Sequence, residues 1–196
     1  ANEFMMIAER HGRDIYEIIN LVNKDYKRGG LKSPGFTAGP CLYKDGFFLV
    51  SKTPFAELIT TAWKINESVP SYLIEEIKKQ TNLINKKVTI LGLAFKKNID
   101  DNRNSLSYKA RKIFLAEGAK VAMHDPFIEP GDLNKVLKDA DIVMIAMDHD
   151  AYKKLTLEKI GEHTNKETIV CDIWNIFKTD KIIFNFTSLV NNNNET

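Results

Sequence analysis

From Lys86 onward the sequence alternates short apolar runs with amphipathic stretches, and that alternation leaves few folds open. Val88-Thr-Ile-Leu91 predicts a buried strand that runs into Gly92. Leu106 to Glu117 predicts a helix, with Gly118 placed where its C-terminal end needs left-handed backbone. Lys120 to His124 is the next strand and stops at Asp125-Pro126. Asp132 to Lys138 reads as a short helix, Ile142 to Ala146 as a third strand and Glu167 to Cys171 as a fourth. Strands separated by helices imply a parallel sheet with right-handed crossovers. The fold class is therefore α/β, with residues 86–196 forming a Rossmann-like parallel-sheet domain and a polar tail, about 190–196, that buries nothing.

Residues 1–85 follow a helical period instead. Phe4, Met5, Ile7 and Ala8 line one predicted face, and after Gly12 the residues Ile15, Ile18, Ile19 and Val22 line another. A stretch rich in Gly and Pro runs from Gly29 to Gly46 and predicts an irregular loop of about 17 residues, long enough to suggest function. Thr53-Pro54 reads as an N-cap followed by proline at the first helical position. The helix after it puts Leu58, Ala62, Ile65, Val69 and Leu73 on one stripe beside Trp63, Ile74 and Ile77, and Pro70 is expected to kink or break it. The Trp63 stripe predicts a core or subunit seam. Ala1-Asn2-Glu3 opens directly into a helix, so the chain is expected to be part of a longer protein.

Composition narrows the function classes. The 196 residues carry 28 Lys+Arg against 26 Asp+Glu, a net charge of +2 that argues against nucleic acid and acidic membranes as partners. No apolar run approaches a membrane span, and the expected setting is a soluble, cytoplasmic one. Cys41 and Cys171 lie too far apart in sequence for a zinc motif, and two cysteines make no disulfide scaffold. The histidines lack metal-ligand spacing, Asp148-His149-Asp150 reads as a polar loop, and no metal is expected.

Several residues could carry chemistry. Cys41 lies in Pro34-Gly-Phe-Thr-Ala-Gly-Pro-Cys41-Leu-Tyr-Lys-Asp45, where Lys44 could stabilise a thiolate and Asp45 could orient a water or base. A small buried hydrophobe is the competing reading of Cys41, and the expected one for Cys171. The turn Gly92-Leu-Ala-Phe95-Lys96 follows a strand but lacks the second and third glycines of a dinucleotide clamp. Lys96 and Arg103 offer phosphate contacts, or else form a solvated basic loop paired with Asp100 and Asp101. Asp125 occupies the ribose-reading position of a Rossmann unit, and an Asp-Pro turn explains it equally well.

Three segments together resemble the UDP-glucose/GDP-mannose dehydrogenase family: Gly39-Pro-Cys41-Leu-Tyr-Lys44-Asp45, Ile65-Asn66-Glu67-Ser68-Val69-Pro70, and Gly92-Leu-Ala-Phe95-Lys96 with Asp100-Asp101-Asn-Arg103-Asn-Ser105. The resemblance implies oxidation of the C6 alcohol of a UDP-sugar to the carboxylate with two NAD in succession. Cys41 would be the nucleophile, passing through a thiohemiacetal and a thioester, with Asp45 assisting water. Leu31 to Gly39, including Lys32, Gly35, Phe36 and Gly39, would wrap the sugar, and Phe95 and Lys96 would hold the sugar nucleotide. Lys44 and Arg103 would lie on the cofactor side. Arg28 would be lent to a neighbouring subunit of a homodimer, or higher homo-oligomer, paired through the 53–79 helix.

The loop form looks closer to the branch acting on UDP-N-acetylhexosamines than to the UDP-glucose branch. The family's N-terminal NAD-binding domain, catalytic lysine and asparagine are not matched here, so the chain alone is expected to be inactive. The family also commonly has an arginine after Asp172, where this chain has Ile173-Trp174-Asn175. The alternative is a non-catalytic nucleotide-sugar-binding or dimerisation module. A redox-switch thiol is disfavoured because no resolving cysteine lies nearby.

Overall fold

A computed structural model describes residues 1–179 and 181–185. Strands β1 (Lys87–Leu91), β2 (Lys120–His124), β3 (Ile142–Ile145), β4 (Ile169–Asp172) and β5 (Ile183–Asn185) form one sheet in the order β2-β1-β3-β4-β5. The first four run parallel, and β5 pairs antiparallel with β4. The four parallel strands lie where the apolar runs predicted them, to within two residues. The β5 edge strand was not foreseen, because three residues are too few to show a period. Leu91 sits level with both His124 and Ile145, so the carboxyl ends of β1, β2 and β3 share one rim.

Seven helices surround or extend from the sheet among the described residues: α1 (Asn2–Arg10), α2 (Ile15–Asn23), α3 (Pro40–Val50), α4 (Glu57–Lys78), α5 (Leu106–Ala116), α6 (Leu133–Leu137) and α7 (Leu157–Gly161). The period-2 alternation of the strands divides their side chains between two cores. Val88, Ile90, Ile142, Met144 and Cys171 pack with Met5, Ile15, Phe36, Leu73, Ile77 and Phe114 on one face. Leu91, Val143 and Ile145 pack with Leu137, Tyr152 and Ile160 on the other. The first core joins the N-terminal helices directly to the sheet.

Several expectations from the sequence are corrected. The Gly29–Gly46 loop ends early, because Pro40 sits at the first helical position and Gly39 supplies the preceding turn at φ 123°. Cys41 therefore belongs to the first turn of α3. Thr53-Pro54 does not start α4: the Thr53 hydroxyl donates to Leu49 O at 2.9 Å and its N–H bonds Val50 O, which finishes α3. Helix α4 begins at Glu57 and continues through Pro70 to Lys78, since burial of Val69, Pro70, Leu73, Ile74 and Ile77 outweighs one lost backbone bond. Phe4, Ile7 and Val22 are exposed rather than packed, as is Leu58 at 83%. Helix α7 was not foreseen. The polar tail expected at about 190–196 lies outside the described residues.

Asp148-His149-Asp150 is not simply a polar loop, because His149 is wholly buried. It pairs with Asp125, whose expected role as a ribose reader is also corrected. Asp125 Oδ2 accepts from Leu93 N (2.6 Å), Ala94 N (3.1 Å) and His149 Nε2 (2.9 Å), and Oδ1 accepts from Phe127 N (2.8 Å) and Ile128 N (3.2 Å). A carboxylate saturated by the protein's own donors has no lone pair left for a ribose hydroxyl.

Burial alone would raise the Asp125 pKa, but the His149 bond and the backbone N–H groups outweigh it and hold the carboxyl far below its ordinary range. A depressed folded-state pKa contributes stability that is complete above the unfolded value near 4 and is lost as pH falls through the folded one. Asp125→Asn is therefore expected to cost about 3 kcal/mol at pH 7. The gap from the parent should narrow below about pH 4, as read by urea unfolding across pH.

Candidate functional site

In an open α/β sheet, ligands bind beyond the carboxyl ends of the strands, where the strand order reverses. Here the reversal lies between β1 and β3, and the segment from Lys24 to Gly39 reaches the strand ends at Gly35, against Trp174, and at Gly39, against Phe95. Asparagine side chains hold this segment by imitating a peptide group. Asn23 Nδ2 donates to Leu31 O (2.9 Å) while its Oδ1 accepts from Leu31 N (2.7 Å). Asn2 does the same for Gly35, at 3.1 and 2.9 Å, and also donates to Asn66 Oδ1 at 3.0 Å. Asn66 in turn donates to Thr37 O. These amides replace the partners that a strand or helix would have supplied.

Two glycines permit close approach between this segment and the sheet domain. A Cβ on Gly35 would lie 2.5 Å from the Trp174 indole, just past β4. A Cβ on Gly39 would lie 2.8 Å from the Phe95 ring, in the turn after β1, and Gly39 has a φ that L side chains rarely adopt. The structure thus brings Gly39 and Phe95 together. It corrects the assignment of Phe36: at 1% exposure that ring anchors the segment in the core and is not available to a sugar. Gly35 is likewise buried under Trp174. Lys96, Lys32 and Arg28 are exposed on the surface.

Cys41 is exposed, which removes the buried-hydrophobe reading. Gly39 offers no capping side chain, and the start of a helix leaves backbone N–H groups without intrahelical acceptors, an environment that favours an anion. Lys44 and Asp45 form an ion pair at 2.7 Å, and Arg103 and Asp101 another at 2.6 Å. Each pair holds its cation's pKa above the ordinary value, with a smaller contribution from Cys41, so both cations lie within electrostatic reach of the sulfur. Arg103 also lines an open cleft of roughly 590 Å³ with Tyr43, Glu67, Asn104, Tyr108 and Lys109. Cys171, by contrast, is fully buried, and burial pushes its thiol pKa strongly upward.

The turn after β1 does not fit a dinucleotide pyrophosphate. Leu93 and Ala94 donate their N–H groups to Asp125, Gly92 N donates to His124 O, and a Cβ on Gly92 would lie 2.4 Å from Met147. Among the described residues, no three His, Cys, Asp or Glu side chains converge as a metal site. No helix there is long and apolar enough to cross a membrane.

Sequence reading missed Asn2, Asn23 and Asn66 as the clamps of the segment, and Trp174 as its contact on the sheet. The available signal was Asn23 alone, the last residue of the helix that precedes the Gly/Pro-rich segment. Gly35→Ala is expected to destabilise the fold by about 1–3 kcal/mol. The same change in a Trp174→Ala background should cost measurably less, the difference being a coupling readable in a double-mutant cycle of thermal unfolding.

Residues 89–179 match the family model of the UDP-glucose/GDP-mannose dehydrogenase family, UDP binding domain. The chain is 36% identical over 187 residues to the UDP-N-acetyl-D-mannosamine dehydrogenase of Methanocaldococcus jannaschii, a match covering 92% of this chain and 44% of that protein. It is 31% identical to the NDP-N-acetyl-D-galactosaminuronic acid dehydrogenase of Ralstonia solanacearum, over 82% of this chain and 41% of that one. The solved UDP-D-ManNAc dehydrogenase of Pyrococcus horikoshii superposes with a TM-score of 0.75 at 32% identity, over 84% of this chain and 41% of the other. The chain thus spans less than half the length of these relatives. The matched residues and the relatives agree, and residues 89–179 carry the UDP binding domain of the UDP-glucose/GDP-mannose dehydrogenase family.

Proposed function

We propose that this chain supplies the nucleophile and the sugar-nucleotide platform of an NAD-dependent UDP-sugar 6-dehydrogenase. Residues 1–85 carry the nucleophile segment and 86–196 the platform. The observation that carries the reading is the Gly39–Phe95 contact, which seats the residues just before Cys41 against the first turn of the UDP binding domain. The Sγ of Cys41 adds to the C6 aldehyde and holds that carbon through the thiohemiacetal and thioester stages. Water then releases the carboxylate and regenerates the thiol, with Asp45 orienting that water and Lys44 close enough to steady the charge. Lys96 and Phe95 hold the nucleotide end. NAD, when bound by the whole protein, supplies the acceptor for hydride.

The names of the relatives favour a UDP-N-acetylhexosamine over UDP-glucose as the sugar. The product, a nucleotide-linked uronate, suits a donor for polysaccharide biosynthesis in the cytoplasm. A homodimer is part of the same reading. Helix α3 buries no residue, and Phe48, Leu49, Phe55 and Leu58 are 71%, 69%, 92% and 83% exposed along α3, the turn after it and the start of α4. An apolar edge of that kind marks an association surface, and the family resemblance would have Arg28 lent to the neighbouring site. A second reading, a nucleotide-sugar-binding module without turnover, is favoured by the β1 turn whose donors are already spent. On either reading the 196-residue chain alone forms no NADH from UDP-sugar and NAD.

In the protein that carries these residues together with a nicotinamide-binding domain, Cys41→Ala should reduce formation of the uronate by at least about 10³-fold and leave UDP affinity unchanged. Undiminished turnover would remove Cys41 as the nucleophile, and a parent that binds UDP without turnover would favour the second reading. Leu58→Glu is expected to shift the chain from dimer towards monomer in sedimentation velocity. An unaltered dimer would place the association surface elsewhere.

A further inference from the structure

The turn Gly92–Asn98 contains Phe95 and Lys96; its first residues are buried, with Ser107 Oγ donating to Gly92 O at 2.8 Å, and its exposed part from Lys96 on is held by backbone bonds at either end. Leu93 N and Ala94 N are fixed on Asp125, and Phe95 N donates to Asp101 O at 3.0 Å. Beyond Lys96 and Lys97 the next backbone anchor is Asn98 N, which donates to His149 Nδ1 at 2.8 Å. Asn98 itself has φ 58°, a left-handed conformation that needs such support in a residue other than glycine. Its side chain adds exposed contacts to Asp150, with Nδ2 donating to Oδ2 at 2.5 Å and Oδ1 accepting from the backbone N at 3.1 Å. Lys96 therefore rides on a segment pinned at Phe95 on one side and at Asn98 on the other.

His149 is built to be the second pin. Its ring is wholly buried between Phe127, at 5.2 Å between centroids, and Tyr152, at 5.6 Å. Its Nε2 faces Asp125 Oδ2 at 2.9 Å. A nitrogen that accepts from Asn98 N–H carries no hydrogen, so the ring proton resides on Nε2 and is donated to Asp125. The carboxylate thereby fixes the tautomer that lets the opposite nitrogen receive the loop. An apolar residue of similar volume would fill the same space and bond neither group, leaving Asn98 N–H and part of the Asp125 charge unmet.

We propose that His149 is a positioning residue for sugar-nucleotide binding, holding the Phe95–Asn98 turn through Nδ1 while Asp125 sets its tautomer through Nε2. This rests on the reading of Phe95 and Lys96 as sugar-nucleotide contacts. The two ring nitrogens can be tested apart, because asparagine places an oxygen at the Nδ1 position and glutamine places its terminal amide at the Nε2 position. His149→Asn keeps the acceptor for Asn98 and should hold UDP affinity within about threefold of the parent, whereas His149→Gln keeps the Asp125 bond and should weaken UDP by about tenfold or more. Both affinities are read by calorimetry on the 196-residue chain.

Equal losses in the two variants, tracking their thermal stability, would reduce His149 to a core residue and overturn the proposal. A parent that binds no UDP would overturn the reading of Phe95 and Lys96 beneath it, and the proposal with it. Should both variants fail to fold, nitrogen-15 spectra of the parent decide. A proton on Nε2 alone, with Asn98 amide exchange slowed by saturating UDP, supports the proposal. A proton on Nδ1, or an Asn98 amide indifferent to UDP, overturns it.

Discussion

The rim of the sheet depends on one buried carboxylate. Asp125 ends the segment after β2 with its charge met by backbone N–H groups from the turn after β1, by those of its own turn and by His149. Each of those donors would otherwise be a buried polar group without a partner, so charge and donors stabilise one another. The consequence reaches beyond local stability. With Leu93 and Ala94 fixed, Phe95 has one place to go, and it lies against Gly39, two residues before Cys41. The electrostatic knot thus fixes one of the surfaces, the Phe95 ring, against which the Cys41 segment rests.

The same knot explains why this Rossmann-like unit is not a dinucleotide clamp. In such a clamp the N–H groups of the first turn face a pyrophosphate. Here an internal carboxylate has taken the place of the ligand's charge, and Met147 closes against Gly92. The cations nearest that turn lie further out: Lys96 is exposed, and Arg103 is engaged by Asp101.

How much of this was legible in the sequence follows from the range of the interactions. Strands β1 to β4 show themselves because runs such as Val88–Leu91 and Ile142–Ile145 are apolar on both faces of a covered sheet. Pro40 carried a helix start that was read instead as part of a loop, a local signal weighed against a long run of glycines. Phe36 was read as a sugar contact because nothing local distinguishes an aromatic that faces a ligand from one that turns inward. Asp125 could be read as a turn former or a ribose contact, and only the partners brought to it from residues 93, 94 and 149 decide between them. Cys41 stood out as a candidate because the glycines, lysine and aspartate around it are neighbours in sequence.

The asparagine clamps show why the middle of the site was opaque. Asn2, Asn23 and Asn66 stand on three different helices, and each satisfies backbone groups of a segment that has no regular structure of its own. Such a segment can be short of secondary structure and still be tightly placed, because fixed amides supply what a sheet ladder would have supplied. Leu31, Gly35 and Thr37 are held, Phe36 is buried, and α3 then carries Cys41 away from the core with no buried residue of its own, resting Tyr43 and Phe47 on Trp63 of α4. Cys41 is therefore placed by the residues before it, and exposed apolar side chains line α3 and the first turn of α4.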